Sequence, residues 1–526
     1  MSIKSIIVLF LFPLFLNAGS IREGSHGIIV TEMENGILDS INFVVKGSVQ
    51  DNGSGYPTIL VSFPDSVMRK YGVASGMSGS PAYVDGKLIG ALSSTWPFLN
   101  QPLGNITPIE EMHKLKNTAS AGNLTEKSQN IYVSCSIPTF LSFTDSIMKE
   151  RHLTVKSASA SDSSYPVLPG YSVGIGLISG DMTVAIVGTI TEKSGNEIYA
   201  LGHPALGLGQ EEFPLVSCKT VTTASSKYMS FKIPVIGKAV GSVINDGYSG
   251  IYALLDRRAP TIRTTVSIDK KYYSYNLASS SYLSPLLFQM AVFHATSKSF
   301  LQNDKNSFIA HFSIEGNNIH LKSTLFGRRK FAPFNIIAPL SSVLNEMYDN
   351  SKRKIDIDNI KIDVTTVDHD IFGKIKTVSI VPKLSRRNGK FTINVTASRF
   401  RKCDTTLSIE YFNNRLKPGK YSLVLMGRNT YVKLLENYKI FDRNNIDDMI
   451  SLLNETPQKP YLYYAILDSR RGGIIGNKYY DEIPADYLQG DNSDISYVKR
   501  IISVDSIPIP FVPEGKVITS FIVEEK

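Results

Sequence analysis

From residue 27 to residue 63 the chain reads as one strand after another. GIIVTEM, INFVVKGSV and PTILVSF are rich in β-branched and aromatic residues, and clusters of Gly, Asn, Asp and Ser separate them. Residues 81–93 (PAYVDGKLIGALS) predict a hairpin, with Asp85-Gly86 as the two-residue turn between apolar strands. A short helix is expected over 139–152, and the Ser/Ala/Pro-rich stretch 156–169 reads as an exposed linker or long loop. Strands resume at 172–177, 183–190 and 197–201. Residues 285–296 predict a helix with Ser284 as N-cap, Pro285 at its first position, and Leu286, Leu287, Met290 and Phe293 on one face. After about residue 300 the pattern changes. IDIDNIKIDV (355–364) and FTINVTA (391–397) alternate apolar and polar positions, and Lys417-Pro418-Gly419-Lys420 is a turn feeding the strand YSLVLMG. This spacing predicts an immunoglobulin-like β-sandwich over 355–440. A connecting β region at 301–354 precedes it, and an α+β region at 441–526 (helix 445–454, strand 461–467) follows.

Composition adds the class and the compartment. Apolar residues make up 42% of the 526 positions and charged residues 20%, which excludes a mainly disordered chain. The net charge of +9 is mild for this length and spread along it. Cys135, Cys218 and Cys403 are too few and too scattered for a disulfide framework, and no C-x-x-C pair suggests structural zinc. No histidine cluster argues for a metal, so no cofactor is expected. At the amino terminus, Lys4 precedes the apolar run 6–16 (IIVLFLFPLFL), with small residues at Ala18-Gly19. As a helix that run rises about 16 Å, short of the roughly 30 Å hydrocarbon core. It therefore predicts a signal peptide, residues 1–18, cleaved near Ala18. The mature chain is expected in the periplasm or outside the cell, with no transmembrane segment.

Two short motifs carry the candidate chemistry. In Gly76-Met77-Ser78-Gly79-Ser80-Pro81 a serine flanked by glycines can sit exposed on a tight turn. The N–H groups of Gly76 and Ser78 can then converge on an oxyanion. A serine nucleophile needs a base. Of eight histidines, His203 stands out, because Tyr199-Ala200-Leu201-Gly202-His203-Pro204 ends an apolar strand just before a Gly-rich loop. His294 falls on the apolar helix and reads as a core residue.

GMSGSP followed by YVDGKLIGALSS and NITPIEEM resembles the serine motif of the SpoIVB peptidases, serine peptidases with a chymotrypsin-like double β-barrel. GDMTVAIVGTITEKSGNEIYALGHPALGLG (180–209) is similar to that family's histidine motif, and GSVINDGYSGIYALL (241–255) to the glycine-rich strand pair after it. The resemblance spans roughly 19–300, in a Ser block (20–135) and a His block (170–300). It implies Ser78 as nucleophile and His203 as base. The G-x-S-G-x-P pattern selects Ser78 over Ser80. The family's acid lies shortly before the serine, and Asp65 occupies a similar place here with slightly shorter spacing. Asp246, in the His block, is the rival. In the protein that names the family histidine precedes serine; here the order is reversed, which geometry-defined triads tolerate.

Three functions follow as expectations. The first is an exported serine endopeptidase acting on a protein or peptide substrate. The second is an inactive envelope protein that binds a partner on a peptidase-like barrel. The third is a polyanion binder using Arg328-Arg329-Lys330, Lys352-Arg353-Lys354 and Arg399–Lys402. Such short basic clusters are ordinarily solvated surface, and export argues against nucleic acid.

Overall fold

The computed structural model describes residues 21–50, 55–118, 129–135, 137–149, 152–300, 306–329, 332–382, 384–386, 390–399, 402–412, 416–442, 445–455, 457–484, 487 and 495–524. The expected signal peptide lies outside them. The chain forms two compact units, one reaching Arg263 and including Ser274–His294, the other made of Thr264–Tyr273 and the chain from Ala295 onward.

The first unit opens with a closed antiparallel barrel. Its strands are β1 (His26–Glu34), β2 (Ile37–Gln50), β3 (Pro57–Ser62), β4 (Pro81–Val84), β5 (Lys87–Ser94) and β6 (Leu103–Pro108). They pair in the order β1-β2-β3-β6-β5-β4, and β4 returns to β1. Alternation decides which side faces in: on β2 Ile41, Phe43 and Val45 are buried while Asn42 and Lys46 are exposed. With Ile29, Ile59, Val61 and Ile106 they fill the barrel. Asp85 (φ 48°) and Gly86 (φ 73°) form the expected hairpin turn, both left-handed as a type I′ turn requires. A short helix, α1 (Ser66–Tyr71), leads to the serine motif, and α2 (Ile109–His113) follows β6.

A second ring follows in the same unit. Its neighbourhood comprises β7 (Gln129–Ser134), α3 (Pro138–Lys149), β8 (Leu153–Ser157), β9 (Ser159–Ala160), β10 (Ser172–Gly180), β11 (Thr183–Ser194), β12 (Glu197–Ala200), β13 (Phe213–Ala224), β14 (Phe231–Gly247) and β15 (Gly250–Leu254). β10, β13, β14, β15, β12 and β11 pair in that order, and β11 pairs back with β10. The stretch 156–169, expected to be an exposed linker or long loop, is partly strand. β8 runs parallel to β7, β9 runs parallel to β14, and Ser161 N–H donates to the Ile236 carbonyl (2.9 Å). Backbone pairing takes no account of the Ser-rich composition that suggested a linker. After β16 (Thr261–Ile268) and β17 (Lys271–Ala278) comes the expected helix, α4 (Ser284–Phe300). It is buried on more than one face, Phe288, Ala291 and Val292 included, and His294 sits in the core with the Tyr275 hydroxyl 2.8 Å from Nδ1.

In the second unit, β18 (Ser307–Gly316), β19 (Ile319–Arg328), α5 (Ala332–Asp349) and β20 (Ile357–Val367) come first. Here the sandwich boundaries expected at 355–440 need correction. Residues 357–364 of the alternating segment belong to β20, which pairs with β18 across its length. The two-layer core starts later, with β21 (Phe372–Val381), β22 (Leu384–Arg386), β23 (Lys390–Arg399), β24 (Thr405–Phe412) and β25 (Gly419–Met426). It continues past α6 (Arg428–Asn437) and α7 (Ile446–Asn454) through β26 (Tyr461–Ile475), β27 (Lys478–Tyr480), β28 (Ile495–Pro508), β29 (Val512–Glu514) and β30 (Lys516–Glu524). One sheet is β24-β23-β21-β29; the other is β22-β30-β25-β26-β27, with β28 also on β26. Ile393 and Val395 from the first share a core with Leu423, Leu462 and Phe521 from the second. Strands of the region from 441 onward thus enter both layers of this core: β29 in the first, and β26, β27, β28 and β30 in the second. Among the described residues, no helix is long and apolar enough to cross a membrane.

Candidate functional site

The serine motif sits between α1 and β4, and backbone contacts from the second ring hold it. Gly79 has φ +95°, a left-handed conformation that favours glycine. A Cβ there would lie 1.9 Å from the Thr189 carbonyl oxygen and 2.5 Å from the Leu201 nitrogen, so only glycine lets the turn approach this closely. Across that approach Thr189 N–H donates to the Ser78 carbonyl (2.8 Å), Thr191 Oγ1 to the Gly79 carbonyl (2.8 Å) and Thr189 Oγ1 to the Gly76 carbonyl (2.8 Å). Beneath the turn lies Lys232, fully buried, its Nζ donating to Thr31 Oγ1 and Thr189 Oγ1 (both 3.0 Å). Burial lowers its pKa to about 8, with the nearby Glu32 carboxylate opposing the shift.

Within the turn the N–H groups divide into two sets. Met77, Gly79 and Ser80 donate to the carbonyls of Ala74, Leu92 and Met77. Those of Gly76 and Ser78, the expected oxyanion donors, have no acceptor among the described residues. The two serines also separate. Ser80 is buried and its hydroxyl donates to the Met77 carbonyl (2.6 Å), whereas Ser78 is part-exposed and lines a cavity of about 150 Å³.

His203 lines the same cavity, 125 residues further along the chain. It follows β12 through two successive left-handed residues, Leu201 (φ 69°) and Gly202 (φ 70°). Thr107 Oγ1, from the first barrel, donates to the Gly202 carbonyl (2.6 Å). The Nδ1 atom of His203 stands 2.7 Å from the Pro204 carbonyl oxygen. A carbonyl can only accept, so this 2.7 Å contact, closer than the Gln129 amide nitrogen at 3.4 Å, assigns the ring proton to Nδ1 and makes Nε2 the unprotonated ring nitrogen. The Gln129 side-chain amide donates to the same carbonyl (2.5 Å). No Lys, Arg, Asp or Glu is among the residues lining the cavity.

The expected acids are placed otherwise than predicted. Asp65 is the N-cap of α1: Oδ1 accepts from Val67 N–H (2.9 Å), while Oδ2 faces the backbone and side-chain amides of Asn42 (3.5 and 3.4 Å). It is absent from the cavity lining, and the position expected of an imidazole-orienting carboxylate is held by the Pro204 carbonyl. Its sequence, Asp followed by SVMRKY, is a helix-start signal that could have assigned this role. Asp246, the rival, is buried and accepts from the N–H groups of Ala205 (2.7 Å), Leu206 (2.6 Å) and Gly207 (2.8 Å), the loop after His203. Burial raises its pKa to about 6, and those N–H groups hold it from rising further. Lys232, Thr189 and Gln129 had not been anticipated. Nothing in a one-dimensional pattern distinguishes them from ordinary strand residues.

Among the described residues no group of His, Cys, Asp and Glu could hold a metal ion. No protein-family model, curated protein or solved structure matches the chain.

Proposed function

We propose that the chain is a serine endopeptidase with a chymotrypsin-like pair of barrels, similar to the SpoIVB peptidases, exported by its amino-terminal segment. The observation that carries this reading is the shared cavity of Ser78 and His203, residues supplied by different sheets. His203 Nε2 takes the Ser78 proton as Oγ attacks a peptide carbonyl, and the N–H groups of Gly76 and Ser78 stabilise the resulting oxyanion. His203 then protonates the leaving amine, and a water repeats the cycle on the acyl-enzyme. The uncharged lining favours a substrate residue without charge beside the scissile bond. At about 150 Å³ the space resembles cavities that accept a single benzene ring.

A second reading is an inactive binding protein on the same scaffold. It is favoured by one observation, that His203 Nδ1 faces a carbonyl where a triad has a carboxylate. Labelling of the purified protein with a fluorophosphonate separates the two. Wild type should label, and Ser78→Ala and His203→Ala should not. A folded wild type that fails to label would leave the binding reading.

A further inference from the structure

The loop that carries His203 closes on the buried carboxylate of Asp246, and the two are linked through a single peptide group. The Pro204–Ala205 peptide presents its carbonyl oxygen to His203 Nδ1 at 2.7 Å and its N–H to Asp246 Oδ1 at 2.7 Å. Leu206 and Gly207 place two further N–H groups on Asp246 Oδ2, at 2.6 and 2.8 Å. The backbone completes the enclosure: Gly209 N–H donates to the Asp246 carbonyl and Asp246 N–H to the Gly209 carbonyl. We infer that Asp246 is the positioning residue for His203, acting through the 204–205 peptide where a triad acid would touch the imidazole directly.

A carboxylate at the N–H end of a peptide pulls on its proton and leaves more negative charge on the oxygen, as hydrogen-bonded chains polarise one another. That oxygen then holds the Nδ1 proton more firmly, fixes the tautomer with Nε2 unprotonated, and stabilises the imidazolium formed when Ser78 gives up its proton. The side-chain amide of Gln129, on the same oxygen, keeps the carbonyl aimed at the ring. The path from Asp246 Oδ1 through the peptide to Nδ1 is at most roughly 8 Å, close enough for a buried charge to move an imidazole pKa by about one unit. No charged side chain lines the cavity to mask the effect; its other titratable groups are Tyr56 and Tyr248. This assignment rests on the reading of His203 as the base, but its test needs no turnover.

The experiment uses the full chain carrying Ser78→Ala, labelled with ¹⁵N-histidine and ¹⁵N-alanine, with His203 assigned by comparison with His203→Gln. At pH 8 the expected spectrum has the proton on Nδ1 and an unprotonated Nε2. Adding Asp246→Asn should lower the His203 pKa by about one unit. A proton on Nε2, or a His203 pKa unchanged in a folded Asp246→Asn protein, would overturn the assignment. If that variant does not fold, the parent carries the test through the Ala205 amide. Because Ala205 N–H also reports Asp246 itself, its pH profile is compared with that of His203→Gln: the profile should change when the imidazole is removed, and an identical profile in both proteins would be equally fatal. Fluorophosphonate labelling of the Ser78 protein reports separately on the peptidase reading, so the two failures are distinguishable.

Discussion

Lys232 offers a test that depends on the architecture alone. Its ammonium is fully buried beneath the serine turn, with two threonine hydroxyls as its hydrogen-bond partners. Burial depresses its pKa from 10.5 to about 8. Below pH 8 the lysine is charged in both the folded and unfolded chain, and the fold bears the cost of the buried cation. Between pH 8 and 10.5 the unfolded chain holds a proton that the folded one has released, so stability rises with pH. Above 10.5 both forms are neutral and the cost is gone. At 1.36 kcal/mol per unit the gain across this window is about 3 kcal/mol. Lys232→Met keeps an unbranched apolar stem and removes the titration. Urea unfolding of both proteins from pH 7.5 to 10.5 isolates the effect, because surface lysines and tyrosines titrate alike in each and cancel in the difference. Wild type should gain about 3 kcal/mol on the variant across the window. Near pH 7.5 the variant is spared the buried charge but loses two hydrogen bonds at about 1 kcal/mol each, so the proteins should be nearly matched there. A difference that stays flat from pH 8 to 10.5 would refute the placement of this ammonium in a desolvated site.

Two further substitutions probe the turn and the helix before it. Gly79→Ala puts a methyl group onto the Thr189 carbonyl and forces a left-handed alanine; strain and lost hydrogen bonds together should lower stability by about 3 kcal/mol or more. A urea midpoint close to wild type would contradict the close approach of the turn to β11. Asp65→Ala should lose an N-cap worth about 1 kcal/mol and still label at Ser78 with the fluorophosphonate. Loss of labelling in the folded variant would return Asp65 to the catalytic set.

The elements legible in the sequence are those whose signal is local. β-branched and aromatic richness marked β2, period-two alternation marked β23, Asp85-Gly86 announced its hairpin, and the glycines around Ser78 and His203 picked out both turns. What a strand pairs with is not a local property. The alternation of 355–364 was read correctly as a strand, but nothing in it says that β18 is its neighbour. β14 is more instructive still. In FKIPVIG the apolar set Phe231, Ile233 and Val235 would be expected inside, yet Lys232, Pro234 and Ile236 are the buried face. The strand lies against the serine turn, so both of its faces meet protein, and Lys232 takes the side where threonine hydroxyls can receive it. Asp65 misled for a related reason. Its place before Ser78 was similar to a family position, with slightly shorter spacing, but a carboxylate ahead of a helix has a nearer use for its oxygens. Pro204 could not have been found at all, because the group that matters is a main-chain carbonyl.

Ser78 and His203 can share a cavity only if two separately closed rings are held in register, and the hydrogen bonds between the rings do this at both ends of the site. On the serine side, Ser75 N–H donates to the Ser230 carbonyl, Lys232 N–H to the Ser75 carbonyl, and Thr189 and Thr191 grip the carbonyls of Gly76, Ser78 and Gly79. On the histidine side, Thr107 holds Gly202. The serine turn is therefore fixed largely by residues of the histidine-bearing ring, and Thr107 of the serine-bearing barrel holds the histidine loop in return. This reciprocity explains why chain order is immaterial to the site: no segment between the two motifs has to guide one to the other, since each docks on strands of the opposite ring. It also explains why the polar side chains of Thr189, Thr191 and Lys232 are buried. They are the contacts that a hydrophobic interface, which fixes area but not direction, could not supply.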